Sequence, residues 1–268
     1  MAALWSNIQA LAQNKDKINA YKDQVTRAGV LLPIGRRWAG GVVHGDKVYA
    51  APHGAPHMVV WTPSSNTLSA SPSIDCNTIA HCFSGGCLWD RLKYSAPWTN
   101  AVHIGNEMIM IPDNQKQFLI YSFEENSWSS SVEMDGKTSG NGGGGAVVIG
   151  PKIYCISKQA QAWIIYDTST PSNPISFTAQ ITLPKVYQDE EAPDASWAMG
   201  AEIGGRIFAP PFSAAHVLIY DPIADQFSTS ASLASHSTLS WYGAVAFGDY
   251  LIAMFVCILH LHCPFACV

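Results

Sequence analysis

Four segments of this chain share one internal ruler. An aromatic or glycine anchor stands at Trp38, Trp98, Gly143 and Trp197, and 23 residues after each comes the aromatic that closes an apolar triplet: Trp61, Tyr121, Tyr166 and Tyr220. Between these markers a glycine (Gly45, Gly105, Gly150, Gly204) always precedes an apolar residue (Tyr49, Ile109, Tyr154, Phe208) by four positions. A fifth copy opens at Trp241, keeps Gly248 and Ile252, and then loses the pattern. Self-similarity at fixed spacing means that one supersecondary unit is repeated, and such a unit cannot bury its apolar face without neighbours. The chain is therefore expected to be an array of like modules.

The period within each module says what the module is. From Arg37 onward apolar residues alternate with a period of two, and each unit divides into four short strands. In the first unit these are expected at 39–44, 47–51, 58–62 and 67–70. Gly45-Asp46, Gly105-Asn106, Gly150-Pro151 and Gly204-Gly205 are two-residue hairpin signals, because a tight primed turn needs positive φ at its first central position. Pro63-Ser64-Ser65-Asn66 and Pro222-Ile223-Ala224-Asp225 close the second hairpin of their units. Four strands per unit, repeated every 45 to 60 residues or so, fit the blade of a β-propeller better than a sandwich or a β-helix. The fold class expected is all-β: four full blades and a partial fifth.

The residues also resemble the kelch repeat. The resemblance lies in a glycine-rich first strand, a turn glycine, a second strand of the Lys-Val-Tyr type, and a Val-Val-Trp or Ile-Tyr-Asp third strand. An aromatic or Leu follows seven positions on, as in Trp61 to Leu68, Tyr121 to Trp128 and Tyr220 to Phe227. It covers residues 37 to about 255 and implies a kelch-like propeller. The sequence departs from that family's Gly-Gly pair after the second strand, where it has Ala51-Pro52, Ile111-Pro112, Ile156-Ser157 and Pro210-Pro211.

Outside the repeats, residues 1–34 form a separate lead-in. Leu4, Ile8, Leu11, Ile18 and Val25 fall near one helical face, so an amphipathic helix that packs on the domain is expected. The propeller itself spans 35–256, and 257–268 is an irregular tail rich in Cys and His. No basic segment followed by a long apolar run opens the chain, and the run from Leu251 to Leu259 is too short to span a bilayer. The location expected is cytoplasmic, with no membrane partner. With 15 Lys and Arg against 20 Asp and Glu, the net charge of −5 offers no clustered basic face for nucleic acid.

The seven cysteines are read as mostly free thiols. Cys76, Cys82 and Cys87 share a loop with His81, and Cys257, Cys263 and Cys267 share the tail with His260 and His262, but neither set has the paired knuckles of structural zinc. Gly142–Gly145 lacks the Lys-Ser/Thr of a phosphate loop and reads as a first strand. The acidic run Asp189 to Asp194 lacks calcium-loop spacing. No cofactor or metal is expected.

Strands that alternate in direction place the connections after strands two and four on one side and the short turns on the other. All the insertions fall on the first side, at 71–97, 129–142, 176–196 and 228–240. Variable loops on a rigid scaffold are where recognition usually resides. The binding candidates are accordingly His57 and His216, which stand 19 residues after Trp38 and Trp197, with Gln117 at the matching place in the second unit, its neighbour Lys116, and Lys158. Glu202 joins them as the polar residue among small, apolar innermost strands. No nucleophile elbow or Ser, His and acid arrangement is present in the sequence. The function expected is a non-enzymatic scaffold for a protein or small-molecule ligand; an enzyme with a central-channel site, or a fragment of a longer structural repeat protein, are the alternatives.

Overall fold

The computed structural model describes residues 38–52, 57–74, 98–112, 116–134, 145–156, 162–181, 197, 199–212, 214, 216–231 and 240–256. All regular structure within them is β. The helix expected before residue 35, the tail beyond 256 and the Cys-rich and acidic loops lie outside the described residues. No helix among the described residues is long and apolar enough to cross a membrane.

The first sheet contains β1 (Trp38–His44), β2 (Lys47–Pro52), β3 (Val59–Thr62) and β4 (Thr67–Ala70). The second contains β5 (Trp98–Ile104), β6 (Glu107–Pro112), β7 (Leu119–Ser122) and β8 (Ser127–Ser130). The third contains β9 (Ala146–Ile149), β10 (Lys152–Cys155), β11 (Ile164–Asp167) and β12 (Ile175–Phe177). The fourth contains β13 (Ala201–Ile203), β14 (Arg206–Ala209), β15 (Leu218–Asp221) and β16 (Gln226–Thr229), and the last β17 (Ser240–Phe247) and β18 (Tyr250–Val256). Each sheet is an antiparallel meander in chain order, the last with two strands. Strand limits in the first sheet fall within one residue of those read from the sequence.

Turn chemistry explains the segmentation. The pairs His44↔Lys47, Ile104↔Glu107, Ile149↔Lys152, Ile203↔Arg206 and Phe247↔Tyr250 each enclose a two-residue turn. Its first residue is glycine at φ between 57° and 61° in all five, as a primed hairpin requires. At the second hairpin, Asn66, Asn126 and Asp225 adopt φ of 51°, 50° and 49°, a left-handed conformation that Asn and Asp tolerate better than other side chains. The third sheet differs, because its β11–β12 connection runs from 168 to 174, longer than the uniform turns expected on that side.

Successive sheets pack face to face. Val42, Tyr49 and Val60 of the first sheet meet Trp98, Met108, Met110, Leu119 and Tyr121 of the second. The opposite face of the second sheet brings Ile109, Ile111 and Ile120 against Ile153, Cys155, Ile164 and Tyr166 of the third. Val147, Tyr154 and Ile165 then meet Trp197, Ile207, Leu218 and Tyr220 of the fourth. The alternation within β6 shows how this works: Met108 and Met110 point one way, Ile109 and Ile111 the other, and all four are fully buried. First strands also touch in chain order, β1 with β5, β5 with β9, β9 with β13 and β13 with β17. Outer contacts link neighbours as well: Trp128 donates its indole N–H to the Pro72 carbonyl at 2.8 Å, and the Ala179 N–H donates to Asp225 Oδ1 at 2.9 Å.

Candidate functional site

Each sheet presents two ends, and these do different work. At the connection end, where β2 passes to β3 and β4 passes onward, a repeated brace holds the backbone. Ser71, Ser131, Thr178 and Ser230 stand just after the fourth strands. Their hydroxyls accept the backbone N–H of Met58, Phe118, Trp163 and Val217 at 2.9–3.1 Å. Each hydroxyl donates in turn to the carbonyl of the following residue, Pro72, Val132, Ala179 or Ala231, at 2.8–3.0 Å. A buried N–H and a chain exit are thus satisfied by a single side chain. Sequence reasoning missed this brace, although a hydroxyl residue 13 positions after the residue that precedes the third strand, 15 in the third sheet, was available as a signal.

The tryptophan anchors complete the corner. Trp98 Nε1 donates to the Gln117 carbonyl at 3.4 Å, and Trp197 Nε1 to the His216 carbonyl at 3.1 Å, so two anchors occupy equivalent seats. The side chains of Gln117 and His216 then reach the same target: Gln117 Nε2 donates to the Ser131 carbonyl at 2.9 Å, and His216 Nδ1 lies 3.0 Å from the Ser230 carbonyl. A ring nitrogen facing a carbonyl must carry the proton, which fixes the His216 tautomer at Nδ1–H. Gln117 Oε1 is buried and has no hydrogen-bond partner among the described residues. His57 is partly buried, and desolvation lowers its imidazole below the ordinary value. Lys116 is exposed, and its carbonyl accepts the N–H of buried Met134 at 2.8 Å.

Four sequence candidates therefore lie at the connection ends of their own sheets, where His216 and Gln117 act first as braces. Lys158 lies outside the described residues. At the same end, Asn100 Oδ1 accepts the N–H of Ala101 at 2.8 Å and Nδ2 contacts Met199 Sδ at 3.4 Å. Met199 lies over Gly145, whose φ of 111° and close approach leave no room for a Cβ. This base is largely apolar, and most of its polar atoms meet backbone groups, Gln117 Oε1 excepted.

Glu202 falls at the opposite, turn end. Its Oε1 accepts the N–H of Gly205 at 2.7 Å, so the carboxylate caps its own hairpin while remaining exposed. The same place in each first strand, two residues before the turn glycine, holds Val43, His103 and Val148, and Val43 and His103 are exposed too. His103 is thus a second polar residue in the register of Glu202, the one that sequence reasoning singled out as polar among apolar innermost strands. His44, at the end of β1, lies against it, its Nδ1 3.0 Å from His103 Nε2. Among the described residues no three His, Cys, Asp or Glu side chains are grouped to hold a metal ion.

No protein-family model matches the chain, and no curated protein matches it significantly. Solved structures do: 538 chains match, which makes the shared architecture, not any one protein's role, the content of the likeness. One is the extracellular domain of the hybrid two-component system BT4673 of B. thetaiotaomicron, with a TM-score of 0.56 and 11% identity. The alignment covers 84% of this chain and 26% of that one, so this chain spans about a quarter of its neighbour's length. At that identity the likeness concerns the fold alone.

Proposed function

We propose that this chain is a kelch-like β-propeller, four blades and part of a fifth, that serves as a non-enzymatic scaffold and binds a protein or small-molecule partner through the loops of its connection end. The order of the sheets supports the architecture, since each first strand touches the next and each of the first three sheets shares a core with its successor. The observation that carries the binding reading is the brace at the connection end. The same hydroxyl clip recurs in four sheets beneath connections of different length, so the base is held constant while the sequence above it varies. The hydroxyls of the brace and the Gln117 amide and His216 ring nitrogens are engaged with backbone, which leaves recognition chiefly to the loops they carry.

The test compares the two ends. Variants with residues 76–96 or 183–195 replaced by Gly-Ser linkers are expected to lose a partner captured by the wild-type chain, while Asp46→Asn and Asn106→Asp at the short turns keep it. Capture that survives every loop replacement and fails with the turn variants would overturn the reading. So would turnover of a small molecule abolished by Glu202→Gln, which would point to the enzyme alternative.

A further inference from the structure

We propose that His44 and His103 form a two-histidine site for a divalent transition metal, Cu(II) by preference, joining the turn ends of the first and second sheets. The site lies at the end opposite the proposed binding loops and stands or falls independently of them. His44 closes β1 and His103 is the penultimate residue of β5, and these strands lie side by side. Their facing nitrogens, Nδ1 of His44 and Nε2 of His103, are 3.0 Å apart. A neutral imidazole has one proton for two nitrogens. In the metal-free protein one of the facing nitrogens donates a hydrogen bond to the other; an ion takes the place of that proton when each ring carries its own on the far nitrogen, Nε2 of His44 and Nδ1 of His103, which frees both facing nitrogens to bind.

The separation selects the metal. With metal–nitrogen bonds of about 2.0–2.1 Å, two nitrogens 3.0 Å apart subtend about 91–97° at the ion. That is a cis pair in a square-planar or tetragonal shell, the geometry of Cu(II) and Ni(II), and narrower than a tetrahedral zinc site asks for. Imidazole suits these ions, and the stability order among divalent first-row metals peaks at copper. Water would complete the shell, since His103 is exposed and His44 half-buried.

Both rings are held before any ion arrives. Phe123, at the start of the β7–β8 turn, stacks flat on His44 with centroids 4.0 Å apart and planes 4° from parallel, and meets His103 edge-on at 5.4 Å. Phe123 is itself fixed by Tyr49 and Tyr121, at 4.7 and 5.6 Å, and by its N–H bond to the Asn106 carbonyl at 3.0 Å. Partners that orient ligands are worth about 10–100-fold in metal affinity, and loss of a ligand itself should cost at least as much.

The full chain, its reactive thiols blocked with N-ethylmaleimide, is titrated with substoichiometric Cu(II) while the imidazole resonances of its nine histidines are followed by NMR. The His44 and His103 signals are expected to broaden together. His44→Gln or His103→Gln should each weaken binding at this place by about tenfold or more, and Phe123→Leu should weaken it with both ligands still present. Broadening of one ring without the other, broadening of His103 unaffected by His44→Gln, or tighter binding of Zn(II) than Cu(II) would overturn the proposal. Far-UV circular dichroism of each variant confirms that a loss is not unfolding.

Discussion

The second sheet and the last, two-stranded one begin in the same way and end in opposite environments. Both open with a tryptophan at or next to the first position, both carry a register shift just after it (between Trp98 and Asn100, and between Trp241 and Gly243), and both turn on a glycine at positive φ. Yet Met108, Ile109, Met110 and Ile111 of β6 are fully buried between two neighbouring sheets. In the last sheet Val245, Phe247, Tyr250 and Ile252 are exposed, Phe247 and Tyr250 by more than 70%. Hairpin geometry is thus a local property that each unit supplies for itself. Burial is a property of having a neighbour on each face, and most of the stability resides there.

The largest effect that could break this comparison is at an anchor. Trp197 is 5% exposed and sits in the core between the third and fourth sheets, so Trp197→Ala should cost about 3–5 kcal/mol in urea denaturation, whereas Phe247→Ser in the last sheet should stay within about 0.5 kcal/mol. Comparable losses at the two sites would mean that the last sheet is as well packed as the others. The brace should rank next. Ser131→Ala strips the partner from the buried Phe118 N–H and should cost about 1–3 kcal/mol, while Ser131→Thr, which keeps the hydroxyl, should retain most of that stability. An unchanged stability in the alanine variant would show that the clip follows the fold and does not hold it.

The smallest effect lies in the turns and shows itself in acid. Hydrogen bonds from the N–H groups of Ala224 and then Ile223, helped by Arg206, hold Asp221 below the ordinary carboxylate value of 3.8. Asp167 is lowered by the Ser169 hydroxyl first. A carboxyl depressed in the folded chain binds its proton more readily when unfolded, so its contribution is complete above the ordinary value and is lost as pH falls below it. Thermal melts of wild type and Asp221→Asn should therefore differ near neutrality and converge as pH falls from about 5 to about 2. A gap that widens on acidification would reverse the sign of the argument.

Much of this was legible because turn chemistry and strand period are local. Gly45, Gly105, Gly150 and Gly204 announced the hairpins, and the 23-residue ruler placed Trp98 and Trp197 in seats that prove equivalent. The brace went unread despite its regular spacing, since a serine after a strand looks like any loop serine until its hydroxyl is seen to meet a backbone N–H 13 residues earlier. The same blindness hid the His44–His103 contact. Those residues are 59 apart, and the register that sets them together comes from how two sheets lie against each other. Among the named candidates, Gln117 and His216 were found for the right spacing, but the spacing could not tell a brace from a ligand.

The amino-acid sequence alone determined the repeat, the strands and their turns, because glycine conformation and apolar alternation act over a few residues. Only the tertiary structure decided which faces became core, which polar side chains were consumed as braces and which two histidines met. Those outcomes depend on a neighbouring sheet being present to exclude water, and a single unit's residues do not carry that information.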